Sequence, residues 1–138
     1  MRLPYRFLPA LLLAAPGWPA AAQTAAGTAT CHYVYGGETR TLRAAPTDAP
    51  YAVPAIKVGS FFRFRVVAEG APAALKTYVY EDRDSGPVLL HQGVYPWPAS
   101  EAAGQRYGFS GLQRVYEPLY GSEFEYWCTV RDTGEGTK

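Results

Sequence analysis

Ser60-Phe61-Phe62-Arg63-Phe64-Arg65-Val66-Val67 is the stretch that decides the fold class. Phe62, Phe64 and Val66 recur at every second position, with Arg63 and Arg65 between them. Side chains of a strand alternate between its two faces, so this segment has one apolar face and one basic face. The same period runs through Leu75, Thr77 and Val79 against Lys76, Tyr78 and Tyr80. It predicts a further strand with Val88, Leu90 and Val94 on one side and Leu89, His91 and Tyr95 on the other. β-Branched and aromatic residues dominate these runs, and Gly, Pro and Asp punctuate them.

The punctuation predicts turns. Gly36-Gly37 turns the strand at Cys31–Tyr35 into Glu38–Arg43. Residues 81–87 read as a hairpin loop in which Gly86 is free to take a positive φ. Residues 117–122 form a second such loop, between Leu112–Tyr116 and Glu123–Arg131. Pro46, Pro50 and Pro54 mark a loop or a strand along an edge. One short helical candidate, Pro98–Gln105, ends near Gly104. The expectation is all-β: a small antiparallel β-sandwich or barrel.

The chain has 138 residues, and its beginning reads as an address rather than as fold. Arg2 and Arg6 precede an apolar stretch, Phe7–Ala15; Pro16-Gly17-Trp18-Pro19 and Ala20-Ala21-Ala22 follow. That order of charge, apolar core, breaker and small residues is a secretory signal, residues 1–22, cleaved after Ala22. Its apolar core is far short of the roughly 20 residues that span a bilayer. No other stretch approaches that length, so no transmembrane segment is expected after cleavage. Residues 23–30 read as a flexible leader, 31–132 as a single β domain and 133–138 as a flexible tail. The expected location is the periplasm or the exterior.

Without Arg2 and Arg6, acids exceed bases by one and no basic tract remains. A nucleic-acid partner requires a basic footprint, so none is expected. Cys31 and Cys128 are the only cysteines, and an even count in an exported chain points to a disulfide. Cys31 shares a strand face with Tyr33 and Tyr35, and Cys128 shares one with Phe124, Tyr126 and Val130. Both thiols therefore point where the apolar side chains point. A lipidated Cys31 is disfavoured, because no Leu-Ala-Gly-like box precedes it. Tyr126 stands two residues before Cys128, which is similar to the tyrosine corner of immunoglobulin-like domains. The likeness extends to general architecture only: the cysteines lie too far apart, and Cys128 too near the end, for the usual pair. The bridge is expected to join the first and last strands.

Chemistry needs a reactive group and a partner that activates it. His32 and His91 are isolated, Ser110 reads as a turn serine, and no Gly-x-Ser-x-Gly elbow occurs. No metal or cofactor is expected. Histidine spacing does not suit ligation, and Met1, the only methionine, leaves with the signal. Glu81-Asp82-Arg83-Asp84 reads as a solvated hairpin tip rather than a calcium loop. The unusual feature is aromatic content: eleven tyrosines, six phenylalanines and three tryptophans, more than one narrow core absorbs.

Those aromatics suggest a binding face. Trp97 lies between Pro96 and Pro98, where stiff backbone is expected to hold it outward beside Tyr95. Tyr78, Tyr80, Arg63 and Arg65 extend the candidate surface. The first functional expectation is a non-catalytic binding or accessory protein acting on an envelope protein. The alternatives are a carbohydrate-binding module, with glycan stacked on Trp and Tyr, and a small hydrolase or metal-dependent enzyme using His32 or His91.

Overall fold

The computed structural model describes residues 27–100 and 105–130. Its strands, in chain order, are β1 (Ala29–Tyr35), β2 (Glu38–Ala44), β3 (Pro46–Thr47), β4 (Ile56–Val58) and β5 (Phe62–Gly70). β6 (Ala73–Arg83), β7 (Gly86–Pro96), β8 (Gln113–Tyr116) and β9 (Glu123–Thr129) complete them. One sheet has the order β2-β1-β9-β8 and is antiparallel throughout. In the other, β3 and β4 both pair with β5, and β6 and β7 follow. Only the two-residue pairing of β3 with β5 is parallel. The described residues form no α-helix; Pro50–Ala52 makes a single 3-10 turn.

The two sheets face each other across an aromatic layer. Tyr33, Val115, Phe124 and Tyr126 come from the four-stranded sheet, and Phe62, Phe64, Val66, Leu75 and Val79 from the other. Phe64 is central: its ring centroid lies 5.1 Å from Phe124, 5.1 Å from Tyr126 and 5.9 Å from Tyr33. The alternation of Phe62-Arg63-Phe64-Arg65 is therefore realised as read, with phenylalanines inward and arginines outward.

Cys31 and Cys128 are bonded, at an S–S distance of 2.02 Å. They are directly opposite one another in the β1–β9 ladder, so the bridge links neighbouring strands of one sheet. It joins the first and last strands of the described chain, at the middle of the four-stranded sheet.

Several boundaries moved. β1 begins at Ala29, two residues before the expected start of the domain, because Ala29 pairs with β2, Thr30 pairs with both β2 and β9, and both are buried. The expected hairpin loop at 81–87 shrinks to a tight turn at Asp84-Ser85, and Gly86 takes a φ of 111°. The proposed signal peptide and C-terminal tail, and residues 101–104 of the short helical candidate, lie outside the described residues.

The largest departure from period two is in β7. Val79 pairs with His91, but Tyr80 pairs with Leu89, so Leu90 is an extra residue in the ladder. A bulge of this kind re-aims the side chains beyond it. Leu89 consequently shares the outer face with Gln92 and Val94, while His91 and Tyr95 turn inward opposite Val79 and Leu75.

The cysteine bridge closes a loop with a sequence separation of 97. Loop closure on this scale stabilises by about 4–5 kcal/mol on the chain-entropy account. Reductant, or Cys31→Ser, should lower the melting temperature on the order of 10–20 °C. Coincident melts with and without reductant would remove the bridge as a stabilising element.

Candidate binding face

The outer face of the five-stranded sheet brings together four of the residues singled out in the sequence. Arg63 stands opposite Tyr80 and Arg65 opposite Tyr78 in the β5–β6 ladder. Tyr78 and Tyr80 are two apart on one strand, so their rings lie side by side, with centroids 6.3 Å apart and planes within 17°. The Arg65 guanidinium sits 5.1 Å from the Tyr78 ring centroid. It is held there from behind: Nε donates to the Val53 carbonyl at 2.9 Å, and Nη2 donates to the Pro50 carbonyl. The proline-broken segment thus packs along this face and fixes the arginine. A guanidinium over an aromatic ring and tied by two hydrogen bonds to backbone carbonyls is stiffly placed.

Arg63 has a different anchor. Its Nε donates to Asp82 Oδ1 at 2.7 Å, and Lys57 Nζ lies 3.4 Å from Asp82 Oδ2. The Arg63 hydrogen bond, chiefly, holds the Asp82 carboxyl below its ordinary range despite its burial. Asp82 was read in the sequence only as part of a hairpin tip. It continues the series 78, 80, 82 on the outward side of β6, and that period was the signal that could have found it. Leu89 and Val94, about half exposed, flank the tyrosines on β7.

Tyr95 and Trp97 do not belong to this face. Tyr95 pairs with Leu75, whose side chain is in the core, and so points to the opposite side of the sheet. Trp97, expected to be held outward, is buried at 4 % exposure and packs 5.8 Å from Phe109. Tyr95 meets Phe109 edge-on at 5.7 Å. Trp97 turns into the end of the sandwich, where burying its large apolar ring outweighs presenting it to water. Trp97 Nε1 has no hydrogen-bond partner among the described residues.

The histidines are also placed. His32 is on the outer face of the four-stranded sheet, opposite Cys31, stacked 5.2 Å from Trp127 and buried. Tyr107 meets Trp127 edge-on at 5.4 Å. His91 Nε2 lies 2.8 Å from the Tyr126 hydroxyl, which also hydrogen-bonds Thr77 Oγ1 at 2.8 Å and lies 3.4 Å from the Tyr95 hydroxyl. This polar cluster crosses between the sheets. Burial is the main reason the Tyr126 phenol resists ionisation, so it stays neutral at every physiological pH. Thr77 is fully buried, and Ser110 Oγ both accepts from Cys128 N and donates to the Gly111 carbonyl. No group of three or more His, Cys, Asp or Glu among the described residues is placed to hold a metal ion.

The loop at 117–122 has an internal scaffold that the sequence did not reveal. The Glu117 carboxylate is buried and accepts from the amides of Leu119, Tyr120 and Ser122 at 2.8–2.9 Å. Burial alone would raise its pKa, but those amides together lower it. Leu119 and Tyr120 are exposed at the tip, with Tyr120 leaning on Phe61 at 4.9 Å.

Comparisons with protein families, with curated proteins and with solved structures found no match for this chain. Among the described residues, no helix is long and apolar enough to cross a membrane.

Two expectations test this geometry. A Cβ on Gly93 would fall 2.6 Å from Thr77 Oγ1 and 2.7 Å from the Tyr95 hydroxyl. Gly93→Ala should therefore lower unfolding stability by about 1–3 kcal/mol in urea titration, by forcing the hydroxyl cluster apart. The second concerns pH. Burial lowers the His91 pKa below the ordinary 6.5. Above that value both folded and unfolded imidazoles are neutral, and the residue adds no pH dependence. Below it the unfolded chain takes up the proton first, so stability should fall with pH until the folded imidazole also protonates. His91→Gln should flatten that decline; an acid limb identical in the two proteins would show that His91 does not contribute.

Proposed function

We propose that the chain is exported and acts as a non-catalytic binding or accessory protein, engaging an envelope protein through the outer face of its five-stranded sheet. The observation that carries this reading is the row formed by the Pro50 and Val53 carbonyls, Arg65, Tyr78 and Tyr80. Each member fixes the next before any partner arrives, which reduces the ordering cost of association. Tyrosine and arginine are the side chains that most often anchor protein contacts. The flanking Leu89 and Val94 add apolar area on the same side.

The row also weighs against glycan as the partner. A sugar ring stacks on an open aromatic face, yet the Arg65 guanidinium sits over the Tyr78 ring and the Tyr80 ring stacks beside it. Phenol rings with hydroxyls, set beside guanidinium groups, suit the mixed polar and apolar surface of a protein. The polar groups at the sheet interface give little support to catalysis. His91 is engaged with Tyr126, Ser110 with backbone, and Thr77 is out of reach of a substrate. Export rests on the order of residues 1–22 and agrees with the Cys31–Cys128 bridge.

Residues 23–138, oxidised, should retain an envelope protein from native extract, and Tyr78→Ala/Tyr80→Ala should lose it by roughly tenfold or more in affinity. The variant's melting temperature should stay close to wild type, because both rings are at the surface. Trp97→Ala, in contrast, should lower the melt, being a core deletion. Equal retention by the tyrosine variant would place the contact elsewhere. Retention of glycan with no protein would favour the carbohydrate reading.

A further inference from the structure

Charge on the outer face of the five-stranded sheet does not balance. Lys57, Arg63, Arg65 and Lys76 stand on that side, with Glu69 and Asp82 as the acids among them. Lys76 is paired with Glu69 at 2.8 Å. Arg63 and Lys57 share the carboxylate of Asp82, at 2.7 and 3.4 Å. Arg65 makes no ion pair among the described residues, and its hydrogen bonds go to the backbone carbonyls of Val53 and Pro50. Four cations against two acids leave this face with two positive charges in excess. Without residues 1–22 the chain has one acid more than it has bases, so the rest of the molecule is net negative.

The donors left over are of the kind that recognises carboxylates. A guanidinium has five N–H donors. Arg63 spends Nε on Asp82, and its side chain is 41 % exposed. Arg65 spends Nε and one N–H of Nη2, and no described residue accepts from its Nη1. Trp97 Nε1 is the one buried side-chain nitrogen without a partner among the described residues, so Arg65 Nη1 reaches water. Both arginines are therefore fixed at Nε and keep terminal N–H groups open. They are alternate residues of β5, roughly 7 Å apart along the strand. Alternate side chains of any extended chain have that spacing, and guanidinium ends take carboxylates through charge-assisted hydrogen bonds.

We infer that the partner of this face is an acidic protein segment, which seats carboxylates on Arg63 and Arg65 beside Tyr78 and Tyr80. The inference rests on the reading of this face as the binding face and adds the chemistry of what it binds. Charge complementarity selects the occupant. A polyanion fits less well: nucleic acid, a sulfated glycan or an anionic membrane would press continuous negative charge against Asp82 and Glu69, which are set into the face. A protein segment can place one or two acids on the arginines and lay neutral side chains over those carboxylates, Leu89 and Val94. The negative remainder of the molecule steers such a segment toward this side.

The probe is a peptide of alternating Glu and Ser carrying an uncharged fluorophore, with alternating Lys and Ser as its control. Oxidised protein, residues 23–138, should bind the Glu peptide with a Kd below about 1 mM at low salt and should not bind the Lys peptide. Raising salt to about 0.2 M should weaken binding roughly threefold or more. Arg63→Gln and Arg65→Gln should each weaken it by a similar factor. Arg63→Gln leaves Asp82 paired with Lys57, so it reads the charge even where Arg65→Gln loosens residues 50–53. Gln92→Lys adds a cation at an exposed position opposite Tyr78 and should tighten binding. No binding of the Glu peptide overturns the inference, as does binding of heparin or anionic vesicles in its place. In envelope extract, a partner lost by Tyr78→Ala/Tyr80→Ala but indifferent to salt and to both arginine substitutions overturns the acidic partner and leaves the binding face standing. A partner indifferent to the tyrosine substitutions as well removes both.

Discussion

Phe64 is the residue on which the two sheets meet. Its ring touches Tyr33, Phe124 and Tyr126, one from β1 and two from β9, so the central strands of the four-stranded sheet are all registered against one side chain of β5. Native cores are close-packed, and a ring seated among three others leaves little freedom for either sheet to slide. That registration sets what faces outward. Because Phe62 and Phe64 are inside, Arg63 and Arg65 must be outside, opposite the tyrosines of β6. The candidate binding face is the reverse side of the core, specified by the same alternation.

This coupling explains which parts of the site were legible in the sequence. Arg63, Arg65, Tyr78 and Tyr80 lie on regular strands, where period two assigns faces reliably. The disulfide was legible for the same reason: both cysteines shared a face with apolar neighbours. β7 was not legible. An inserted residue reverses the assignment of everything beyond it, and nothing in Val88-Leu89-Leu90-His91 marks Leu90 as the insertion. His91 was grouped with Leu89 for that reason, although the two point to opposite faces.

Trp97 and Glu117 show a second limit, set by tertiary context. Proline on both sides of a tryptophan fixes local backbone but not the direction in which the ring points. Phe109, twelve residues further on, supplies the surface that draws Trp97 inward. Glu117 was read as an ordinary loop acid. Its role depends on three amides that the chain brings back within hydrogen-bond reach, and composition carries no trace of that geometry.

The position of the disulfide has a mechanical consequence. Cys31 is in the first described strand and Cys128 in the last, and they face each other within one ladder. Tension applied between the two ends of the chain therefore runs through the sulfur–sulfur bond and bypasses the residues between them. The aromatic core, the tyrosine row and the β7 edge all lie inside the closed loop and carry none of that load while the bond is oxidised. Reduction would transfer the same force to the hydrogen bonds of β1 with β9, making the bridge a strain relief for anything tethered at both termini.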